Sequence, residues 1–163
     1  MSLGSAPLPG IAADDHVAGS AEPRAIVYAD YECPFCAVLH ERLASRGVGW
    51  AFRHFPVKSK HPRAWAAACA AEAAGLQGRF WELHDLLYGD QARLEDPHLW
   101  ERAQRLGLDL DRFEHDRRSD AVQARVRRDF ESGIRAGVAT TPTVFIDGVA
   151  HPGVPDDSIL DRL

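Results

Sequence analysis

Two cysteines separated by two residues are the part of the sequence with the clearest chemical potential. Cys33 and Cys36 enclose Pro34 and Phe35, and proline is well tolerated as the first residue of a helix. Residues three apart in a helix are neighbours, so the two sulfurs can approach to the separation that a disulfide accepts. The pair is therefore predicted to open and close by thiol–disulfide exchange.

The predicted helix start also assigns different roles to the two thiols. Free N–H groups and the positive end of the helix dipole favour an anion at this point, so the pKa of Cys33 is predicted to fall below the roughly 8.5 of a free thiol. Cys36 lies one turn further in and is predicted to be more buried. It is the thiol suited to resolve a mixed disulfide.

Zinc binding is the alternative chemistry for the same pair. His40 follows Cys36 by four residues and would face the same way on a helix. Structural zinc sites generally need four ligands, often from a second Cys or His pair, and the sequence offers no such pair. Disulfide exchange is the favoured interpretation, with no metal expected.

Apolar patterns predict the elements that position the cysteines. A β-branched and aromatic run at residues 25–29 predicts a buried strand that leads directly to them, and a helical repeat follows until Gly47. Alternation predicts a second strand at 48–55. The remaining predictions, in chain order, are helices near 62–74, 80–87, 97–106, 111–118 and 121–136, strands at 143–146 and near 149, and a helix at 156–163.

Length and composition indicate one compact domain, and the predicted order of strands and helices makes it an α/β domain. The 163 residues are 45% hydrophobic and 26% charged, and residues 1–22 are predicted to be a flexible segment before a folded domain at 23–163. The net charge of −5 offers no basic surface, so nucleic acid is not an expected partner. Neither a membrane span nor a secretory signal is predicted, and the compartment stays open.

Several motifs in a fixed order resemble the DsbA-like branch of the thioredoxin-fold oxidoreductases. They are YADYECPFC at 28–36, FRHFP at 52–56, HP at 61–62, QGRFWELHD at 77–85, TPT at 141–143 and DG at 147–148. The resemblance implies a thioredoxin fold with a helical insertion from about Val57 to Asp120. It also implies a protein thiol:disulfide oxidoreductase without metal or organic cofactor.

The same resemblance assigns the site residues. Cys33, Cys36 and Pro142 are expected to be catalytic, and Pro34, Phe35 and Thr141 to contact substrate. A cis Thr141-Pro142 bond is expected to face the cysteines, and X-Pro is the one bond type for which cis is energetically accessible. Its backbone could pair with an extended substrate. The expected partners are protein or peptide thiols and disulfides and a redox protein that recycles the pair; the chain is expected to be a monomer.

Three positions depart from the family pattern. Val27 stands where many relatives have an acid that moves protons for the buried thiol, Phe35 stands where strong oxidants have His, and Thr140 stands where Gly is frequent. Glu32 is expected to add repulsion to the Cys33 thiolate. A moderate redox potential, between roughly −120 and −270 mV, follows.

Asp30 has two open interpretations, because it precedes Cys33 by only three residues. It could replace the missing acid in proton transfer, or it could cap the turn or point to solvent.

Other reactive or aromatic residues are interpreted as structural. Cys69 lies in an alanine-rich helix and is predicted to be an inert buried thiol. His54, His61 and His84 are predicted to pack or hydrogen-bond. The aromatic and leucine stripe is predicted to be core rather than a substrate groove: Trp65, Phe80, Trp81, Leu83 and Leu87.

The direction of exchange is not determined by the sequence, because oxidase, reductase and isomerase use the same two sulfurs. A second hypothesis is a peptide-binding or chaperone module, or a regulatory domain of a larger membrane protein. Cofactor-using isomerases and transferases of the same fold usually have Ser at the first cysteine, so the intact pair argues against that class.

Overall fold

A computed structural model describes residues 10–163. The five strands are β1 His16–Ala18, β2 Ala25–Ala29, β3 Trp50–His54, β4 Thr143–Ile146 and β5 Val149–Pro152. The seven helices are α1 Pro34–Arg46, α2 Ala64–Gly75, α3 Phe80–Gly89, α4 Asp96–Arg105, α5 Leu110–Arg118, α6 Asp120–Arg135 and α7 Asp157–Leu160. The strands form one sheet in the order β1-β3-β2-β4-β5. The α/β class and the thioredoxin fold are confirmed.

The central strand β2 is buried along its whole length because both faces of the sheet are covered. It pairs in parallel with β3 and antiparallel with β4. Successive side chains point to opposite faces of a strand. Val27 therefore joins the larger apolar cluster, whereas Ile26 and Tyr28 join the smaller one. A strand buried in this way accounts for its continuous apolar composition.

The connection from β2 through α1 to β3 places the start of α1 at the carboxyl end of β2. Pro34 is the first residue of α1, and Gly47 ends the helix in the left-handed conformation at φ 64°, where glycine has no side-chain penalty. The β4–β5 hairpin turns through Asp147 and Gly148, both with positive φ, as the sequence indicates. These ends position the two loops that meet at the cysteines.

Four helices, α2 to α5, lie between residues 64 and 118, within the segment where the sequence predicts an insertion. The alanine-rich α2 is almost wholly buried and packs against α3, α5 and α6. On the opposite face of the sheet, Phe130 of α6 stacks on Phe55 with ring centroids 4.6 Å apart. Within residues 10–163, no helix combines the length and apolarity that a membrane crossing requires.

The N-terminal segment corrects one prediction. Residues 16–18 are not a loose lead-in but form β1, which pairs antiparallel with β3. Asp15 and Arg53 form a nearly buried ion pair at 2.8 Å, and His16 reaches Glu72 at 2.7 Å. The partners of this polar segment lie more than thirty residues away in sequence, so local pattern could not identify them. Residues 1–9 of the predicted segment lie outside the described residues.

Gly133 of α6 tests how tightly this helix packs on the sheet. A β-carbon at Gly133 would lie 2.6 Å from Phe55 Cδ2 and 3.0 Å from Tyr28 Cδ1. Helix propensity alone favours Ala over Gly by about 1 kcal/mol, but overpacking of a core costs about 1 to 3 kcal/mol. We expect Gly133→Ala to lower the free energy of unfolding, measured by urea denaturation.

The control is Gly89→Ala, because Gly89 is also a helix residue, the last of α3, but has nothing within 4 Å of the added carbon. It should leave stability unchanged or raise it slightly. Equal effects of the two substitutions would contradict the close approach of α6 to β2 and β3.

Candidate active site

The two cysteines of the pair lie at the first turn of α1. Cys33 is the N-cap residue, and its sulfur accepts a hydrogen bond from the backbone N–H of Cys36 at 3.3 Å. Both are free thiols, and they are 3% and 1% exposed respectively. The sulfur thus occupies the place that a serine or aspartate oxygen takes at an ordinary helix start.

The pKa values of the two thiols move in opposite directions. Hydrogen bonding from the Cys36 thiol is the main cause that lowers the pKa of Cys33 to about 6; burial opposes it, while Thr141 and the Cys36 backbone N–H support it. Burial, followed by the interaction with Cys33, raises the pKa of Cys36 well above its ordinary 9.0. At neutral pH one sulfur is mainly a thiolate and the other a thiol, so only Cys33 is an effective nucleophile.

The loop before β4 faces the cysteines across this turn. The Thr141-Pro142 peptide bond is cis, as predicted, and the carbonyl of Thr141 lies 3.5 Å from Cys33 Sγ. Pro142 is held from the other side, since its carbonyl accepts the Gly153 N–H at 2.8 Å. The structure therefore brings the pair Cys33 and Cys36 together with the pair Thr141 and Pro142, and more than one hundred residues of sequence separate the two pairs.

Phe35 and Pro34 form the outer surface of the same turn. The ring of Phe35 is 66% exposed and the adjacent Val38 is 40% exposed, which makes an apolar patch beside the sulfurs. Val27, in contrast, is buried with 2% exposure, so the acid of many relatives has no counterpart at this position of β2.

Asp30 caps the turn, as one of its interpretations predicts, and does not point to solvent. Its Oδ1 accepts the Glu32 N–H at 2.8 Å, and its Oδ2 accepts the Val57 N–H and His61 Nδ1, each at 2.9 Å. The side chain is fully buried. With three donors already directed at it, this carboxylate holds the β2–α1 turn to the segment that follows β3.

Glu32 corrects the expected source of repulsion. Its two oxygens accept hydrogen bonds from Arg63 Nε at 3.0 Å and from the Arg63 backbone N–H at 2.9 Å, so its charge is compensated. The carboxylate that raises the pKa of Cys33 is Asp30, and its contribution is smaller than those of the hydrogen bonds. A guanidinium thirty-one residues away could not be assigned to Glu32 from sequence alone.

Gln91 is a site residue that sequence reasoning missed. Its amide nitrogen donates to the carbonyls of Tyr31 and Cys33, both at 2.9 Å. Gln91 lies between α3 and α4, in the helical insertion, and no motif marks it. Its two hydrogen bonds fix the backbone immediately before the nucleophilic sulfur.

Two groups of side chains within residues 10–163 bring potential metal ligands close together. In the first, Glu72 Oε1 lies 2.7 Å from His16 Nε2 and 2.8 Å from His54 Nε2. Burial alone would raise the pKa of Glu72, but these two hydrogen bonds outweigh it and lower that pKa. The arrangement is accounted for as a buried hydrogen-bonded cluster, as predicted for His54. The second group is His40, His84 and Asp85.

Cys69 is separate from the pair. It is 4% exposed within α2, and burial raises its pKa to about 11. Both observations agree with the prediction that Cys69 is an unreactive buried thiol.

The aromatic and leucine stripe is only partly in the core. Phe80, Leu83 and Leu87 are buried there, whereas Trp65 and Trp81 are only partly covered.

Comparison with known proteins identifies the family. Residues 44–162 match the model of the DSBA-like thioredoxin domain, so the chain belongs to that family. The matched range covers most of the domain but starts after the cysteine pair, whose assignment therefore depends on the geometry described above.

Solved structures agree with this assignment. A thioredoxin-like oxidoreductase from Silicibacter pomeroyi superposes with a TM-score of 0.79 at 25% identity, over 93% of this chain and 90% of that one. The thiol-disulfide exchange protein alpha-DsbA2 from Wolbachia pipientis gives a TM-score of 0.80 at 19% identity, over 92% and 85% of the two chains. At that identity the second likeness establishes the fold.

The similar curated sequences are much longer proteins. An Na(+)/H(+) antiporter NhaA 3 of Salinispora tropica is 44% identical over 85% of this chain, and an NhaA 1 of Mycolicibacterium vanbaalenii is 39% identical over 91% of it. The chain spans only 22% and 26% of those two relatives. The similarity therefore concerns one part of each antiporter.

Removing the thiol of Cys36 tests the origin of the Cys33 thiolate. We expect Cys36→Ala to raise the pKa of Cys33 from about 6 toward its ordinary 9.0, because the main hydrogen-bond donor to the sulfur is lost. The measurement is the ultraviolet absorbance of the thiolate against pH in the reduced protein. Cys69→Ala is the control and should leave the curve unchanged; equal curves for all three proteins would refute the assignment.

The lowered pKa of Cys33 also makes stability depend on pH. Between about 6 and 9 the folded protein has lost this proton while the unfolded chain retains it, so the unfolding free energy of the reduced protein should rise with pH. The gain is absent below that window and complete above it. Denaturation of the oxidised protein, which has no such thiol, should show a smaller slope; a larger slope would contradict the pKa assignment.

Proposed function

We propose that this domain is a thiol:disulfide oxidoreductase that exchanges disulfides with protein substrates through Cys33 and Cys36. The observation that carries the proposal is the asymmetry of the pair: a thiolate at the N-cap of α1 beside a buried, protonated thiol. This is the arrangement that a nucleophile and its resolving partner require. Membership of the DSBA-like family and the named activities of the structural neighbours support it.

In the reducing direction, the Cys33 thiolate attacks one sulfur of a substrate disulfide, and the other substrate sulfur leaves with the electron pair. Cys36 then loses its proton and attacks Cys33, so that the Cys33–Cys36 disulfide forms and the remaining substrate sulfur departs. Oxidation of a substrate dithiol is the reverse sequence. A leaving group with a low pKa departs readily, so the stabilised Cys33 thiolate favours release of an oxidised substrate.

The substrate backbone would bind beside the cis bond. Thr141 precedes β4, and an extended chain placed along this loop would lie next to Cys33 Sγ, 3.5 Å from the Thr141 carbonyl. Pairing with a strand edge is a recurrent way to hold an unfolded peptide without reading its sequence. The exposed ring of Phe35 would contact apolar side chains that flank the substrate cysteine.

Turnover of insulin disulfides with dithiothreitol tests this function. We expect Cys33→Ser to abolish catalysis, because the nucleophile is lost, and Cys36→Ser to abolish turnover while accumulating a mixed disulfide that gel mobility reveals. Cys69→Ala should retain the native rate, since Cys69 lies outside the site. Activity that survives both serine substitutions would refute disulfide exchange and favour a peptide-binding module.

A regulatory role within a larger membrane protein is the second candidate, and the antiporter relatives are the observation in its favour. A redox-active domain of this kind could report the thiol state of its surroundings to a transporter. The two candidates separate experimentally: a regulatory pair equilibrates with glutathione yet catalyses insulin reduction no faster than free dithiothreitol.

A further inference from the structure

Under the proposed function, the thiol of Cys36 must lose its proton each time it attacks a mixed disulfide. Burial raises the pKa of this thiol well above 9.0, and Cys36 is only 1% exposed. Water therefore has little direct access to the proton. The position of β2 where relatives have an acid is occupied by Val27, which cannot accept it.

A small cavity shows which groups lie beside Cys36. Its volume is about 10 Å³, and Val27, Cys36, His40 and His84 contribute to its wall. His40 follows Cys36 by four residues in α1, so the two side chains lie on the same face of the helix. The imidazole of His40 is 16% exposed, whereas His84 is wholly buried. His40 thus extends from this cavity toward the surface.

A chain of polar contacts continues from the cavity to solvent. Tyr31 Oη lies 2.8 Å from His84 Nδ1, His84 Nε2 lies 3.3 Å from His40 Nδ1, and His40 Nε2 lies 3.0 Å from Asp85 Oδ1. Asp85 is 63% exposed. With Tyr31 donating to His84 Nδ1 and His84 Nε2 donating to His40 Nδ1, the Nε2–H of His40 lies beside Asp85 Oδ1. Burial lowers the pKa of His84, which keeps that ring neutral, as this arrangement requires.

The geometry points to His40 as the group that accepts the Cys36 proton and passes a proton to Asp85. For the transfer, the hydrogen bond from His84 Nε2 to His40 Nδ1 opens and frees the single lone pair of Nδ1; at 3.3 Å it is the longest contact of the chain. The Cys36 S–H bond breaks and an N–H bond forms at His40 Nδ1, while the Nε2 proton moves to Asp85 and then to water.

The sulfur chemistry then proceeds as in the proposed function. The Cys36 thiolate forms a bond to Cys33 Sγ, the bond from Cys33 to the substrate sulfur breaks, and that sulfur leaves with the electron pair. In the opposite direction, His40 returns a proton to Cys36 when the disulfide opens. No group besides water and the thiol substrate is needed for balance.

The surroundings leave few other acceptors. Asp30 already receives three hydrogen bonds, and β3 contributes the apolar rings of Trp50 and Phe52 to the cavity wall. His54, at the end of β3, is held by Glu72 at 2.8 Å. The titratable groups that face His40 and Cys36 come from α1, α3 and the turn before α1: Asp30, Tyr31, Cys33, His84, Asp85 and Tyr88.

The experiment measures closure of a preformed mixed disulfide between Cys33 and glutathione in the full chain, by stopped-flow tryptophan fluorescence. His40→Gln keeps an N–H donor for Asp85 but cannot relay a proton. We expect closure to slow by about a hundredfold, a usual effect for loss of a general base. The ultraviolet titration of Cys33 should stay native, which shows that the nucleophile itself is unchanged.

Two further variants separate proton transfer from packing. His115→Gln removes an exposed histidine of α5 and should close at the native rate. His40→Ala opens space beside Cys36, and added imidazole should accelerate its closure but not that of the native protein. Closure of His40→Gln at the native rate, or failure of imidazole to accelerate His40→Ala, would overturn the assignment of His40.

These outcomes differ from failure of the proposed function itself. If oxidised glutathione does not convert the reduced native protein to the Cys33–Cys36 disulfide, disulfide exchange is refuted and His40 has no proton to accept. If the native protein closes rapidly and His40→Gln closes equally fast, exchange stands and only the proton route is refuted.

Discussion

The backbone N–H of Cys36 needs an acceptor at the first turn of α1, and the sulfur of Cys33 supplies it at 3.3 Å. An unpaired N–H at a buried helix end is costly, so the fold itself requires electron density at this point. A thiolate meets that requirement better than a thiol. Helix formation and thiolate stabilisation therefore share this hydrogen bond, which adds to the larger effect of the Cys36 thiol in lowering the pKa of Cys33.

The rest of the molecule holds this turn in place. Three groups hold the β2–α1 turn by hydrogen bonds. Asp30 accepts the Glu32 N–H, Glu32 accepts from Arg63, and Gln91 donates to the Cys33 carbonyl. Arg63 and Gln91 belong to the helical insertion, whereas the cis Thr141-Pro142 loop belongs to the thioredoxin part. The insertion thus contributes directly to the geometry of the sulfur pair as well as covering the sheet.

Local pattern was sufficient for most of the elements. The strand at 25–29, the helix between Pro34 and Gly47, and the 147–148 hairpin all lie where the sequence predicts them, because each carries its own propensity and end signals. The cysteine pair and the cis bond were likewise identified from motifs. The α/β thioredoxin fold follows from their order along the chain.

The remainder depended on contacts between distant residues. β1 was missed because the partners of His16 and Asp15 lie on α2 and β3. A short polar segment whose partners are distant in sequence has the composition of a loop. Gln91 was missed because no sequence motif marks a glutamine whose side-chain amide donates to two backbone carbonyls. Glu32 was assigned the wrong influence because the position of Arg63 is a property of the folded insertion alone.

The buried third cysteine has a consequence for the oxidised state. Within α2, Cys69 is 4% exposed and its pKa is about 11, so only roughly one molecule in ten thousand carries its thiolate at neutral pH. Disulfide rearrangement proceeds through thiolates. Under the proposed function, Cys69 is therefore expected to stay out of the exchange while the Cys33–Cys36 disulfide forms and opens.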